Sequence, residues 1–173
     1  MIPQIKKILY ATDLTKNSAY AFFYAVDMAK KHNASIVILH VIEPISQRIY
    51  AEGASSKLDE VLIKSKKQER EDDIEEIKKN LREFCRKTEV QIGSPCVQLV
   101  TEILVPIGHP VDEILKVADD EACDAIVMGT HGKGFLRHTF LGSVAGSVLE
   151  RTRKPVFIIP LPSDKTAIEW EKI

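Results

Sequence analysis

Met128–Val144 reads MGTHGKGFLRHTFLGSV. It follows the apolar run Cys123–Met128 and leads into a segment whose apolar residues recur with a helical period. Gly129 and Gly132 stand close together, and nine residues separate Gly132 from the pair Gly142–Ser143. A strand, a glycine-rich loop and a helix opening on Gly-Ser make a cradle for an anion. Glycine lets the backbone approach a phosphate and take positive φ at no steric cost. The unpaired N–H groups of the helix start then point at the negative charge. The stretch therefore points to a bound nucleotide.

Working outward, Ile5–Ala11 reads as a strand. Asn17 or Ser18 can cap a helix running to about His32, with Ala21, Phe22, Ala25, Val26 and Ala29 on its buried face. Ser35–Val41 is a second strand, apolar on both faces as a covered parallel strand must be. Glu43–Ser56 carries Pro44 and Gly53 among scattered polar residues and reads as a mobile loop. A long charged helix follows from about Lys57 to Lys87, with Ile74, Ile77, Leu81 and Phe84 on one stripe. The stretch KSKKQEREDD from Lys64 to Asp73 holds no apolar residue, so it projects into solvent or frays.

Cys96–Val105 is a third strand. Gly108, His109 and Pro110 turn the chain into a helix with Val111, Ile114, Leu115 and Ala118 on one face. Cys123–Met128 is the fourth strand, and Asp124 ties a turn before it. The helix Ser143–Arg153 turns Val144, Val148 and Leu149 inward and stops at Pro155. Val156–Ile159 is a fifth strand, and residues 161–173 form a polar, loosely held tail with Trp170. Strands alternating with helices require an α/β fold: a parallel sheet with right-handed crossovers and helices on both faces. In such a sheet ligands bind beyond the carboxyl ends of the strands, where the strand order reverses. Ala11–Asp13, Val41–Glu43 and Gly129–Gly134 should meet there.

Composition narrows the class. The 173 residues are 45% hydrophobic, enough for one core. The net charge of −1 advertises neither nucleic acid nor a membrane surface. No apolar run nears the roughly 18 residues of a membrane span. The start, MIPQIKKILYATD, lacks a signal-peptide pattern, and a soluble cytoplasmic protein is expected. Cys85, Cys96 and Cys123 show no CxxC pairing and read as reduced, small hydrophobic residues.

The spacing G-x2-G-x9-G-[ST], at Gly129, Gly132, Gly142 and Ser143, resembles the ATP-binding branch of the universal stress protein family. KILYATDLTKNS is similar to that family's first strand and its aspartate followed by a small hydroxyl residue, and HVIEP to the end of its second; GHPVDEIL and CDAIVMGTHGKG also fit. The likeness covers about residues 4–160, so residues 1–160 read as a single domain and 161–173 as an added tail. It implies a Rossmann-like open five-stranded sheet of order 3-2-1-4-5, bound ATP with Mg²⁺ or Mn²⁺, and a homodimer. By that likeness Ala11 and Val41 meet the adenine, beside Thr12, and Asp13 approaches the ribose or the metal–phosphate end. Gly129, Thr130, His131, Gly132, Lys133 and Gly134 wrap the phosphates and ribose. Gly142, Ser143 and the N–H groups of Val144 and Ala145 take the terminal phosphates. Some members carry a hydroxyl residue two after that serine; here Ala145 offers only its N–H, with Thr139 and Ser147 as nearby hydroxyls.

Two other phosphate motifs fail. GxGxxG needs a glycine where Arg137 stands, and a P-loop needs Ser or Thr where Gly134 follows Lys133. Plainer roles compete at single positions. Gly129 and Gly132 also suit a turn, Asp13 a loop cap, Ser143 a helix N-cap, and His40 a core position. Lys133 and Arg137 suit phosphate contact or a solvated loop. His131 and His138 have no paired carboxylate or nucleophile to make either a general base. The leading expectation is a nucleotide-dependent stress-response or signalling module with an unknown protein partner and little turnover. The alternatives are a slow ATPase or autophosphorylating enzyme, and a nucleotide-free dimeric adaptor. The apolar edge Val156–Ile159 is expected to pair two copies, unless the tail with Trp170 folds over it.

Overall fold

The computed structural model describes residues 1–44, 57–130, 141–160 and 171–173, with side chains in the long second helix described from 67 onward. The elements are β1 (Lys7–Ala11), α1 (Lys16–His32), β2 (Ser35–Leu39), α2 (Lys57–Ile92), β3 (Val100–Leu104), α3 (Pro110–Asp120), β4 (Ala125–Gly129), α4 (Ser143–Arg151) and β5 (Val156–Ile159). They form one five-stranded sheet of order β3-β2-β1-β4-β5, parallel throughout. This is the expected order, with helices on both faces.

The three middle strands are apolar on both sides, and their two-residue period divides the core in two. Ile8, Tyr10, Ile36, Ile38 and Val127 face Phe22, Ala25, Val26 and Ala29 of α1 and Leu81 and Cys85 of α2. Leu9, Val37, Leu39 and Ile126 face Val111 and Ile114 of α3 and Val148 of α4. Asp124 ties the starts of two strands together, as its sequence position implied. Its Oδ2 accepts the N–H groups of Lys6 at 2.7 Å and Lys7 at 2.9 Å, and its own N–H donates to Lys7 O at 2.8 Å.

Several element ends differ from the expectation. The N-cap of α1 is Thr15, whose side chain accepts from Ser18 N; Asn17 and Ser18 are buried within the first turn. Helix α2 runs to Ile92 rather than Lys87 and leaves through Gly93, which has φ of +61°. Residues 67–73 are helical and almost all exposed, so the described part of the charged stretch projects into solvent rather than fraying. Glu89 then accepts from Cys96 N at 2.7 Å and Val97 N at 2.8 Å. The Val97 and Cys96 N–H groups hold its carboxyl below the usual range. That clamp bends Val97–Leu99 into a 3₁₀ turn and shortens the expected third strand to Val100–Leu104. In α4 Val144 and Val148 turn inward as expected, joined by Ala145, whereas Leu149 is 50% exposed, because one further residue rotates it off the buried stripe. Helix α4 ends at Arg151, short of Arg153, and β2 ends at Leu39, short of Val41.

The three cysteines are free and buried; burial pushes the Cys85 thiol up to about 12 and the Cys123 thiol up to about 11. Residues 161–170, including Trp170, and residues 45–56 of the expected mobile loop lie outside the described residues. The end of the tail is not loosely held: Ile173 packs against the α1–α2 half of the core, and its N–H donates to Leu14 O at 3.2 Å.

Replacing Asp124 with Ala removes an ionised acceptor from two backbone donors. Denaturant unfolding should show a loss of about 1–3 kcal/mol; stability within about 0.5 kcal/mol of wild type would mean that water replaces the carboxylate at no cost.

Candidate functional site

Strand β1 lies at the reversal of strand order, with β2 on one side and β4 on the other. The chain leaves it through Thr12, 6% exposed, into a turn where every polar group of Thr12 is engaged. Thr12 N donates to Leu39 O at 2.9 Å, and Thr12 O lies 2.8 Å from His40 Nδ1. A carbonyl only accepts, so His40 carries its proton on Nδ1. Thr12 Oγ1 accepts Leu14 N at 3.0 Å and shares a 2.9 Å hydrogen bond with Ser18 Oγ. Ser18 Oγ donates to Thr15 O at 3.0 Å, which leaves Thr12 as the donor between the two hydroxyls. Tyr10 OH donates to Ser18 O at 2.6 Å, and burial pushes this phenol far above its usual range, so it stays neutral beneath α1.

This scaffold presents Asp13. Its Oδ1 accepts from Thr15 N at 3.0 Å and from Thr15 Oγ1, while Oδ2 is buried and has no hydrogen-bond partner among the described residues. A buried carboxylate oxygen without a donor is costly, and a metal ion or ribose hydroxyl would satisfy it. Leu14 follows with φ of +67°. A left-handed leucine costs about 1–2 kcal/mol, so the surrounding contacts hold this turn against its own preference.

Across the reversal point, β4 ends at Gly129. Thr130 N donates to Ile159 O at 3.1 Å, and Thr130 O accepts Gly142 N at 2.7 Å. The start of α4 is thereby pinned to the end of β4. Gly142 is the N-cap, at φ −65° and ψ 155°, and has no side chain with which to cap the helix. Gly146 N already bonds to Gly142 O. The N–H groups of Ser143, Val144 and Ala145 have no acceptor among the described residues, the condition in which a helix start binds an anion. Ser143 is the first helical residue rather than the cap, and it is exposed.

The structure brings Ala11, Thr12, Asp13, Gly129 and Thr130 to the same edge as Gly142–Ala145. Val41 follows β2 beside them, half-buried and next to Ile42, whose N–H bonds to Pro106 O at 2.9 Å. His131, Gly132, Lys133, Gly134, Arg137, His138 and Thr139 lie outside the described residues. Three expectations change. Thr12 has its polar groups committed inside the turn, so it positions rather than donates. Neither Gly129 nor Gly142 has positive φ. What Gly129 provides is space, because a Cβ there would stand 2.9 Å from Asn17 Nδ2 and 3.2 Å from Asn17 Cγ. The expected core role of His40 is observed, but it also serves the site by bonding the Thr12 carbonyl. Thr15, bonded to Asp13, fits the small hydroxyl residue that the family likeness places after the aspartate; Ser18, expected only as a helix cap, joins the site through the Thr12 hydroxyl.

Among the described residues no three His, Cys, Asp or Glu side chains converge on a metal position. A divalent ion here would therefore rely on Asp13 together with phosphate oxygens and water, a common arrangement for Mg²⁺. The described groups can grip an anion and orient a cation.

The sequence model of the universal stress protein family matches residues 4–160. The chain belongs to that family. Universal stress protein MJ0577 of Methanocaldococcus jannaschii is 30% identical over 162 residues, spanning 89% of this chain and 94% of the relative. Its solved structure superposes with a TM-score of 0.63, covering 94% of this chain and 100% of that one at 28% identity. Universal stress protein MJ0531 of the same organism is 31% identical over 159 residues, 91% of this chain and 83% of the relative. A universal stress protein solved in complex with cAMP shares the fold, at 23% identity and a TM-score of 0.57, over 91% of this chain and 98% of that one. Among the described residues no helix is long and apolar enough to cross a membrane.

Gly129→Ala should cost about 1–3 kcal/mol, the usual penalty of overpacking. Pairing it with Asn17→Gly should recover part of that loss in a double-mutant cycle. Additive losses measured by urea unfolding would show that the two residues do not compete for space.

Proposed function

We propose that this protein binds ATP with Mg²⁺ or Mn²⁺ at the β1–β4 edge and acts in the cytoplasm as a nucleotide-dependent stress-response or signalling module. One observation carries the reading. At the reversal of strand order an uncapped helix start, Ser143–Ala145, stands at the end of β4, while a buried carboxylate oxygen of Asp13 without a donor stands at the end of β1. One side suits a phosphate and the other a cation or ribose hydroxyl. Family membership supports the same reading.

In this account Ala11 and Val41 flank the base, Asp13 meets the ribose or the metal, and Gly129 and Thr130 carry the chain past the ligand. His131, Gly132, Lys133 and Gly134 wrap the phosphates, and Gly142, Ser143, Val144 and Ala145 close on the terminal ones. ATP is a ligand that orders the protein, and its bound divalent ion offsets phosphate charge. A protein partner then reads the nucleotide-bound state.

Nucleotide-free protein should gain thermal stability with MgATP. At a hundred times the dissociation constant the gain is about 2.7 kcal/mol, or roughly 5–10 °C in Tm for a chain of this size. Gly132→Val should abolish the shift while leaving the unliganded Tm near wild type, and cAMP in place of MgATP tests the need for the terminal phosphates. No shift for wild type at millimolar MgATP would overturn the reading.

The functional unit we propose is a homodimer joined through Val156–Ile159. Strand β5 forms one edge of the sheet, and its Phe157 is 38% exposed. Pro155 and Pro160 bracket it, so pairing with a second copy stops after a few residues and growth is closed. Phe157→Lys should shift the mass seen by light scattering towards monomer. A wild type already monomeric at high micromolar concentration would refute the dimer.

A further inference from the structure

Leu14 forms the crest of the turn that presents Asp13, and it is held from two directions. From inside, Thr12 Oγ1 accepts its N–H at 3.0 Å. From outside, Ile173 N–H donates to its carbonyl at 3.2 Å, and the Ile173 side chain packs with Leu14 against the same half of the core. Glu171 and Lys172 are exposed and border an open cavity of about 880 Å³ between α1 and α2, whose walls include Phe23 and Phe84. Among the described residues of the tail, Ile173 is the one that packs against the core.

The turn needs such a hold. Leu14 has φ of +67°, a conformation a leucine leaves when nothing constrains it. Asp13 Oδ1 is bonded to Thr15 N, so the aspartate and the residue after Leu14 move together. If Leu14 relaxes, the carboxylate swings with the turn, and the direction of Oδ2 is lost.

We propose that Ile173 is a positioning residue for the nucleotide site: seated on Leu14, it keeps the Thr12–Thr15 turn in the left-handed form that presents Asp13. The inference rests on reading the β1–β4 edge as a nucleotide site. Linkage makes the effect reciprocal, so a nucleotide that needs the turn in this form also tightens Ile173 onto it.

The test uses the full chain in wild-type form and as Ile173→Asp, Ile173→Val and Leu81→Ala. Backbone amide resonances of Asp13–Ser18 are recorded without nucleotide, and MgATP affinity is measured by calorimetry. Ile173→Asp should move the turn resonances and weaken MgATP about fivefold, the scale of coupling carried through packed side chains. Ile173→Val should keep affinity within about twofold of wild type, since it retains most of the apolar contact that Ile173→Asp loses. Leu81→Ala loses a fully buried side chain from the same half of the core, yet it should leave affinity at wild type. Should Ile173→Asp fail to fold, Ile173→Ala is read in the same way. Unmoved turn resonances overturn the inference, as does unchanged affinity with moved resonances, or an equal loss of affinity in Leu81→Ala. A wild type that binds no MgATP overturns the nucleotide reading and the positioning role with it, and the turn resonances then judge the hold of Ile173 on Leu14 separately.

Discussion

Strand β1 meets water on neither face and has a hydrogen-bonded neighbour on each edge. A chain leaving such a strand must satisfy its polar groups within the protein. Thr12 does so with three partners drawn from two parts of the fold: Leu39 O and His40 Nδ1 at the end of β2, and the hydroxyl of Ser18 in α1. The turn that follows is therefore rigid at its root, and α1 starts where that rigidity places it. Asp13 is the first residue beyond this knot, which is why a carboxylate oxygen can remain buried there without a donor.

The other side of the site is built from backbone alone. Gly142 supplies no cap, and its N–H is spent on Thr130 O, which fixes the direction of α4. An anion held there faces donors already aimed by the helix. The small side chain demanded at Gly129 serves a different end. It leaves room for the Asn17 amide, in the first turn of α1, to lie against the end of β4. Preorganisation of this kind favours holding a ligand, because few groups need ordering when it arrives.

The sheet was legible because burial on both faces leaves an unambiguous trace. KILYA and SIVIL are apolar after their first residue and AIVMG throughout, and Val156–Ile159 is delimited by prolines at both ends. The missed boundaries depend on partners distant in sequence or on side chains acting locally in ways the apolar period does not record. The third strand begins late because Glu89, on the preceding helix, captures the N–H groups of Cys96 and Val97. Thr15 caps α1 while Asp13 holds it from the other side, a pairing that competes with the equally plausible hydroxyl of Ser18. At the site, Gly142–Ser143 were legible as a helix start, whereas the packing role of Gly129 required knowing that Asn17 lies against it. Ile173 left no trace in a tail that reads as polar.

The bond between Thr130 and Gly142 has an evolutionary corollary. It joins the end of β4 to the start of α4, so the intervening residues begin and end at a fixed gate. Doubling the length of a segment between fixed ends costs about 0.6 kcal/mol in closure entropy. Closure entropy alone therefore sets little limit on how many residues lie between Thr130 and Gly142, whereas Leu141 is tied to the α3–α4 half of the core. A lineage carrying this fold can change what lies between Thr130 and Gly142, as one changes the bit in a chuck, while the sheet, the gate and the helix start stay as they are.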